Sequence, residues 1–265
     1  MEVSELKNEI NGEESESEHP PVGKRVYVYF TLLVLGIISV FGVKAKWQTH
    51  APVKQVIVEG ISVISKDEIV RLMKLPPNVP MYELDLTALQ QNIMTNSFVK
   101  SAVLQRDAPS TMRVIIEERK PSAILVANEL YYIASDGTIL PYIASSETYD
   151  IPVISGLDSL TGIATGKRLF NADVQEALEI INASSAVSGN LSHTISEIRM
   201  RKGHDLVLYS FETGVPIIFG KGDAVKKMVK LDAFWEKFLM NSETSDLQYI
   251  DIRFEDQVIV SKKNS

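Results

Sequence analysis

The chain has few residues that suit metal or redox chemistry. It contains four histidines and no cysteine. No two histidines stand at a metal-ligand spacing such as i and i+4, and thiolate ligands are absent. The lack of cysteine also excludes disulfide bonds. The sequence therefore predicts no metal site at its histidines, which are His19, His50, His193 and His204.

Two short glycine–lysine stretches have some likeness to phosphate-binding loops. A P-loop needs a glycine five positions before Gly166, and Thr161 stands there instead. The stretch at 220–222 is too short for a nucleotide fingerprint, so we interpret both as turns. No serine-nucleophile signature stands in a supporting context. The sequence thus predicts no catalytic residue, no cofactor and no small-molecule substrate.

Length and charge limit the remaining classes of function. The chain has 265 residues, of which 45% are hydrophobic, and a net charge of −7. This length predicts one to three domains with real cores. The acidic balance argues against nucleic-acid binding, which needs a concentrated basic surface. Residues 1–25 carry seven glutamates against three basic residues, and we predict that they form a disordered tail.

An uncharged run of 18 residues, 26–43, follows the tail. As a helix it would span about 27 Å, close to the thickness of a bilayer core. A buried core helix and a cleaved signal peptide are the alternatives, but basic residues flank the run and no Ala-x-Ala cleavage site follows. We predict an uncleaved single-pass membrane anchor over 26–47, with these anchor residues: Val26, Phe30, Leu35, Val43 and Trp47. Two basic residues on each side leave its orientation open.

Residues 52–120 predict a small α+β domain. A β-branched strand ends at Gly60, and Ser65 with Glu68 forms a capping box for a helix. Asp85 can cap a second helix, and two strands follow at 99–106 and 111–118. The order is β-α-α-β-β, so two helices pack on a three-stranded sheet.

The end of that domain carries a polar group that could be mistaken for a catalytic site. We interpret Glu117, Arg119 and Pro121 as a strand edge and domain junction, because proline lacks the N–H that strand pairing needs.

Residues 121–262 predict a mostly antiparallel β domain with a late helix. Short strands are separated by turns such as the one at Asp136 and Gly137, and Asn171 can cap a helix. The late helix is expected over 224–240. Its apolar residues recur every three or four positions and predict one buried face: Val225, Met228, Leu231, Trp235 and Phe238. The chain ends with strands at 247–254 and 258–260.

Six segments carry a recognisable pattern when taken in order: Val56–Gly60, Phe98–Val103, Arg106–Pro109, Met112–Pro121, Ile151–Gly156 and Tyr249–Phe254. Together they resemble the bacterial cell-division family FtsQ/DivIB, whose first exported domain is a POTRA module, and the likeness covers about 26–260. Ser97 stands where members usually have proline, but the surrounding run is intact.

The resemblance implies a non-enzymatic scaffold that links early and late division proteins at the septum. It implies a cytoplasmic tail, an anchor in the inner membrane and an exported C-terminal part that binds FtsB/DivIC-like and FtsL-like proteins. Carried across by position, the partner-binding residues are Tyr249, Arg253, Phe254, Glu255, Asp256, Val258 and Val260. Alternatively, Phe254 and Val258 are core or hairpin contacts. A POTRA-type chaperone, an export or assembly factor, and a membrane-anchored enzyme are the other functions that the sequence leaves open.

Overall fold

The computed structural model describes residues 23–49, 51–143, 149–157, 160–201, 203, 205–239 and 246–263. The chain divides into two compact units, 1–51 and 52–265. The predicted tail lies almost entirely outside the described residues, as do His19, His50 and His204.

In the first unit, the described part is helix α1, Lys24–Thr49, which contains the whole uncharged run. The apolar side chains of Val26, Phe30 and Leu35 are exposed, by 55%, 66% and 57%. Val43 and Trp47 belong to the helix, but their side chains are not among those described. Within the described residues, no helix combines the length and the apolar character needed to cross a membrane.

The second unit begins with the predicted β-α-α-β-β order. It consists of β1 (Gln55–Glu59), α2 (Lys66–Met73), α3 (Leu86–Ile93), β2 (Val99–Asp107) and β3 (Thr111–Glu118). The strands form a sheet of order β1-β3-β2, with β1 parallel and β2 antiparallel to β3. Alternation along β3 buries Met112, Val114 and Ile116 against the helices.

The helix caps form largely as predicted. The Ser65 hydroxyl accepts the backbone N–H of Glu68 at 3.2 Å, and the Asp85 carboxylate accepts that of Thr87 at 2.9 Å. Glu68 does not make the reciprocal bond of a capping box, which would run back to the start of the helix. Its carboxylate instead accepts the side-chain amide of Asn96 at 2.7 Å, which ties α2 to the turn before β2.

The rest of the unit is built on a nine-stranded sheet of order β12-β11-β10-β9-β8-β7-β4-β5-β6. Five of the described pairings are antiparallel and three are parallel. The strands are β4 (Pro121–Val126), β5 (Leu130–Ala134), β6 (Ile139–Pro141), β7 (Val153–Ser155), β8 (Ile195–Met200), β9 (Leu206–Ser210), β10 (Pro216–Gly220), β11 (Leu247–Asp251) and β12 (Ile259–Lys262). The helices are α4 (Ala172–Val187), α5 (Gly189–Thr194) and α6 (Ala224–Phe234).

Two local expectations are wrong, the end of strand pairing at Pro121 and the burial of Val225. Pro121 does not end strand pairing; it is the first residue of β4 and lies opposite Ala134, a position where a missing N–H is tolerated. The late helix follows its expected course, as α6 to Phe234 and then as a π-helical turn, Trp235–Leu239. Met228 and Leu231 are buried as expected. Val225 is 60% exposed, because it lies with Val229, four positions on and 52% exposed, on the outer face of α6.

The core of the three-stranded sheet extends onto the larger sheet. Tyr132, Ala134 and Leu140 of β5 and β6 belong to the same buried cluster as the residues of α2 and α3. Arg119 reinforces this junction, because its guanidinium bonds to the Ser97 carbonyl at 3.0 Å and lies 3.5 Å from Asp136. The two sheets of this unit therefore share one hydrophobic cluster.

Candidate partner-binding edge

The C-terminal strands form an antiparallel hairpin at one end of the nine-stranded sheet. Asp251 lies opposite Ile259, and Ile250 lies opposite Val260. On its other side, β11 runs parallel to β10, so β12 is the terminal strand. No described residue pairs with the outer side of β12.

The direction of the backbone groups on β12 follows from one bond just beyond it. The Lys263 N–H donates to the Asp246 carbonyl at 2.8 Å, toward β11. Because backbone groups alternate along a strand, those of Ile259 and Ser261 also face β11. Those of Val260 and Lys262 therefore face the open side, where an added strand could pair with them.

Two other sheet edges, at β6 and at β2, are partly covered. At the far end of the large sheet, the Ile139 N–H donates to the Lys167 carbonyl at 2.9 Å, and the Ile139 carbonyl accepts from the Gly166 N–H at 2.8 Å. On β2, the Ala102 carbonyl accepts the side-chain amide of Gln90 at 2.6 Å. These contacts satisfy edge groups that would otherwise attract another strand.

The hairpin brings the seven predicted partner-binding residues together. Tyr249 lies on β11 and is half-buried, and Val260 lies on β12. Val258 and Val260 pack against the core of the large sheet. Phe254 is 43% exposed, so it is not a core residue. Four of the seven form the exposed loop between the strands, namely Arg253, Phe254, Glu255 and Asp256.

The guanidinium of Arg253 is engaged within the chain. It donates to Asp251 through Nε and Nη2, at 3.0 and 2.7 Å, and Nη1 lies 3.3 Å from Asp205. Two donor groups of the Arg253 guanidinium are thus bonded to a carboxylate of the same chain. Burial raises the pKa of Asp251, but the hydrogen bonds and charge of Arg253 outweigh it and hold that pKa below its ordinary value.

Lys230 is a residue of this site that sequence reasoning missed. From α6, its ammonium group donates to the Ile252 carbonyl at 3.0 Å and also to the Phe254 carbonyl. These acceptors are 22 and 24 positions away, so no local pattern signals the contact. Lys230 fixes the path of the loop that leads from β11 into β12.

Gly220 makes room for the same loop. It has a positive φ of 71°, and a Cβ at this position would lie 2.9 Å from the Cγ of Arg253. Both the backbone conformation and the close approach require glycine. The glycine–lysine stretch at 220–222 therefore serves the packing of the hairpin.

The residues considered for chemistry have ordinary structural contacts. His193 Nδ1 lies 2.7 Å from Asp150, and Glu117 accepts from Lys100 and Ser101. Across the described ranges, no group of three or more histidine, aspartate or glutamate side chains could hold a metal ion.

Comparison with known proteins identifies both halves of the second unit. The family model "POTRA domain, FtsQ-type" matches residues 51–119, and the model "FtsQ/DivIB, C-terminal related" matches residues 120–261. The cell division protein FtsQ of Geotalea daltonii is 27% identical over 81% of this chain and 77% of its own length. The cell division protein DivIB of Clostridium acetobutylicum is 24% identical over 79% of this chain and 82% of its own. The second model alone spans more than half of the chain, so the chain belongs to the FtsQ/DivIB family of cell-division proteins.

Proposed function

We propose that this chain is a non-enzymatic scaffold of the division machinery and that it binds a partner by adding a strand to β12. The observation that carries the proposal is the open side of β12, to which Val260 and Lys262 turn their backbone groups. An extended partner segment would gain main-chain hydrogen bonds there. We infer that the partner is an FtsB/DivIC-like protein, with an FtsL-like protein in the same complex, and that other division proteins join them at the septum.

Side chains next to the open edge would supply specificity. Phe254 and Ile259 expose 43% and 38% of their surface, and apolar groups beside an added strand give it pockets to fill. Glu255 and Asp256 add negative charge to the loop. Arg253 contributes chiefly by holding the loop through Asp251 and Asp205.

We also propose that α1 anchors the chain in the inner membrane over 26–47, with residues 1–25 in the cytoplasm. The exported part would comprise a POTRA domain at 52–120 and the β domain at 121–262. The support is the 18-residue uncharged run and the exposed apolar side chains of α1. In carbonate-washed membranes we expect the full chain in the pellet, and its release into the supernatant would contradict the anchor.

Two substitutions of one residue test strand addition. Val260→Pro removes a backbone donor on the open side, while Val260→Ala keeps that donor and loses only side-chain contacts. In a titration with a purified FtsB/DivIC-like partner, we expect the proline variant to bind at least tenfold more weakly than the alanine variant, because main-chain bonds carry the affinity. Equal affinities, with both variants folded, would reject strand addition at this edge.

A second pair of changes tests the loop. Arg253→Glu together with Phe254→Ala should weaken binding of the same partner, while the far-UV circular dichroism spectrum stays unchanged. Unaltered affinity of this double variant would remove the loop from the proposed site without affecting the strand test.

A further inference from the structure

A groove lies between α5, the turn after β9 and the end of α6. Its volume is about 330 Å³, within the range of pockets that hold small ligands or single side chains. Its lining includes Leu191, His193, Phe211, Glu212, Asp232, Trp235 and Glu236. None of the residues that line it belongs to β11, β12 or the loop between them, so it is separate from the proposed partner-binding edge.

The apolar part of the groove is aromatic. Leu191 is buried, with 2% of its surface exposed, and Trp235 packs partly against the core. Phe211 is different, because it is 82% exposed at the start of the turn after β9. Its backbone is fixed by a 2.8 Å bond from its N–H to the Thr194 carbonyl. The groove therefore presents an uncovered aromatic ring on a hydrogen-bonded backbone.

The polar part of the groove is acidic. Glu212, Asp232 and Glu236 contribute three carboxylates to the lining, and no lysine or arginine is among the lining residues. None of the three forms an ion pair with a described residue. His193 contacts a different carboxylate, that of Asp150. The charge that would complement this groove is positive.

We propose that this groove binds an arginine side chain, flanked by an aliphatic residue, on a segment of a partner protein. A guanidinium stacks on aromatic faces and forms forked hydrogen bonds with carboxylates, and a compact ammonium does only part of this. Phe211 and Trp235 supply the faces, and Glu212, Asp232 and Glu236 supply the acceptors. The aliphatic neighbour covers the exposed ring of Phe211.

Tryptophan fluorescence of the full chain can report binding. The chain has two tryptophans, so Trp47→Phe leaves Trp235 in the groove as the sole emitter. The probe is a short blocked peptide that contains one arginine next to one leucine. The control is the same peptide with citrulline, which keeps the shape of arginine but lacks its charge. We expect saturable binding of the arginine peptide that weakens with added salt, and at least fivefold weaker binding of the citrulline peptide.

Matched variants locate the site. Phe211→Ala should weaken binding of the arginine peptide about two- to fivefold. Phe170→Ala should not weaken it, because that ring is 84% exposed but lies outside the groove. Glu212→Gln with Glu236→Gln should weaken it about three- to tenfold. The pair Glu83→Gln with Glu129→Gln removes the same charge at two other exposed positions and should leave binding unchanged.

Three results would overturn the proposal. One is equal binding of the citrulline peptide, and another is equal weakening by the matched control variants. The third is the absence of any binding by fluorescence and calorimetry up to about 10 mM peptide. All six positions altered in these site and control variants are exposed, and thermal melts of each variant would verify that the fold is retained.

Discussion

The Arg253 guanidinium donates hydrogen bonds to both oxygens of the Asp251 carboxylate, 3.0 Å from Nε to Oδ1 and 2.7 Å from Nη2 to Oδ2. The Arg253 backbone N–H adds a third bond to the same carboxylate, at 3.1 Å. Asp251 is the last residue of β11 and is buried, whereas Arg253 begins the exposed loop. The pair thus fixes the direction in which the chain leaves β11 and turns into β12.

Asp251→Asn should destabilise the protein and loosen this turn. The amide keeps the shape but loses the charge that holds Arg253, and we expect a loss of about 1–2 kcal/mol in the free energy of unfolding. Urea titration followed by circular dichroism measures it. Asp256→Asn, at an exposed residue of the loop that follows the same strand, is the comparison, and a loss as large in that variant would show that the pair has no special part.

Glu118 makes the stability of the protein depend on pH in the acid range. Its carboxylate accepts the N–H groups of Ser62, Val63 and Ile64 at 3.0, 3.0 and 2.9 Å. Burial raises its pKa, but these bonds outweigh burial and lower that pKa below its ordinary value of 4.5. A carboxyl with a lowered folded pKa stabilises the protein above its unfolded pKa, and that stabilisation is lost as the pH falls through the folded pKa.

We therefore expect Glu118→Gln to lose about 1–3 kcal/mol at neutral pH. The difference from the unaltered chain should shrink as the pH falls from about 5 toward 3. Thermal melts at a series of pH values measure both. Glu117→Gln, at the exposed neighbour that pairs with Lys100, should have a smaller effect at neutral pH, and a difference for Glu118→Gln that does not vary with pH would contradict this account.

Lys230→Met should free the loop between β11 and β12 without unfolding the domain. The ammonium donates to the Ile252 and Phe254 carbonyls in the first half of that loop, and its loss leaves them to water. Hydrogen–deuterium exchange should show amides of 252–256 losing protection about five- to tenfold. Lys226→Met is the matched control, because its amine is 4.0 Å from Glu255 and 75% exposed, and equal loss of protection in that variant would be evidence against a specific role for Lys230.

Gly220→Ala should lower the free energy of unfolding more than the same change at Gly214 does. Both glycines have positive φ, 71° and 63°, but only the added Cβ at 220 would meet a neighbour within 4 Å, the side chain of Arg253. Backbone strain of about 1 kcal/mol is common to both variants, and displacement of Arg253 adds to it at 220. Denaturant unfolding of the two variants side by side measures the difference, and equal losses would mean that Arg253 moves away freely.

The sequence by itself determined the local elements of this protein. Alternating apolar residues on β3 placed Met112, Val114 and Ile116 on the inner face, and Asp85 and Asn171 each cap the helix that follows. These features could be predicted because they depend on side-chain spacing and on bonds within three or four residues. The ordered motifs also carried the family resemblance.

The tertiary structure decided which edge is open and what holds it. The position of β12 at the end of the sheet depends on the parallel pairing of β10 with β11, and residues 221–246, which include α6, separate those two strands in sequence. Lys230 reaches the hairpin across more than 20 residues, and the acidic groove combines α5, a turn and α6. Such contacts arise from packing between distant segments, and no local periodicity encodes them.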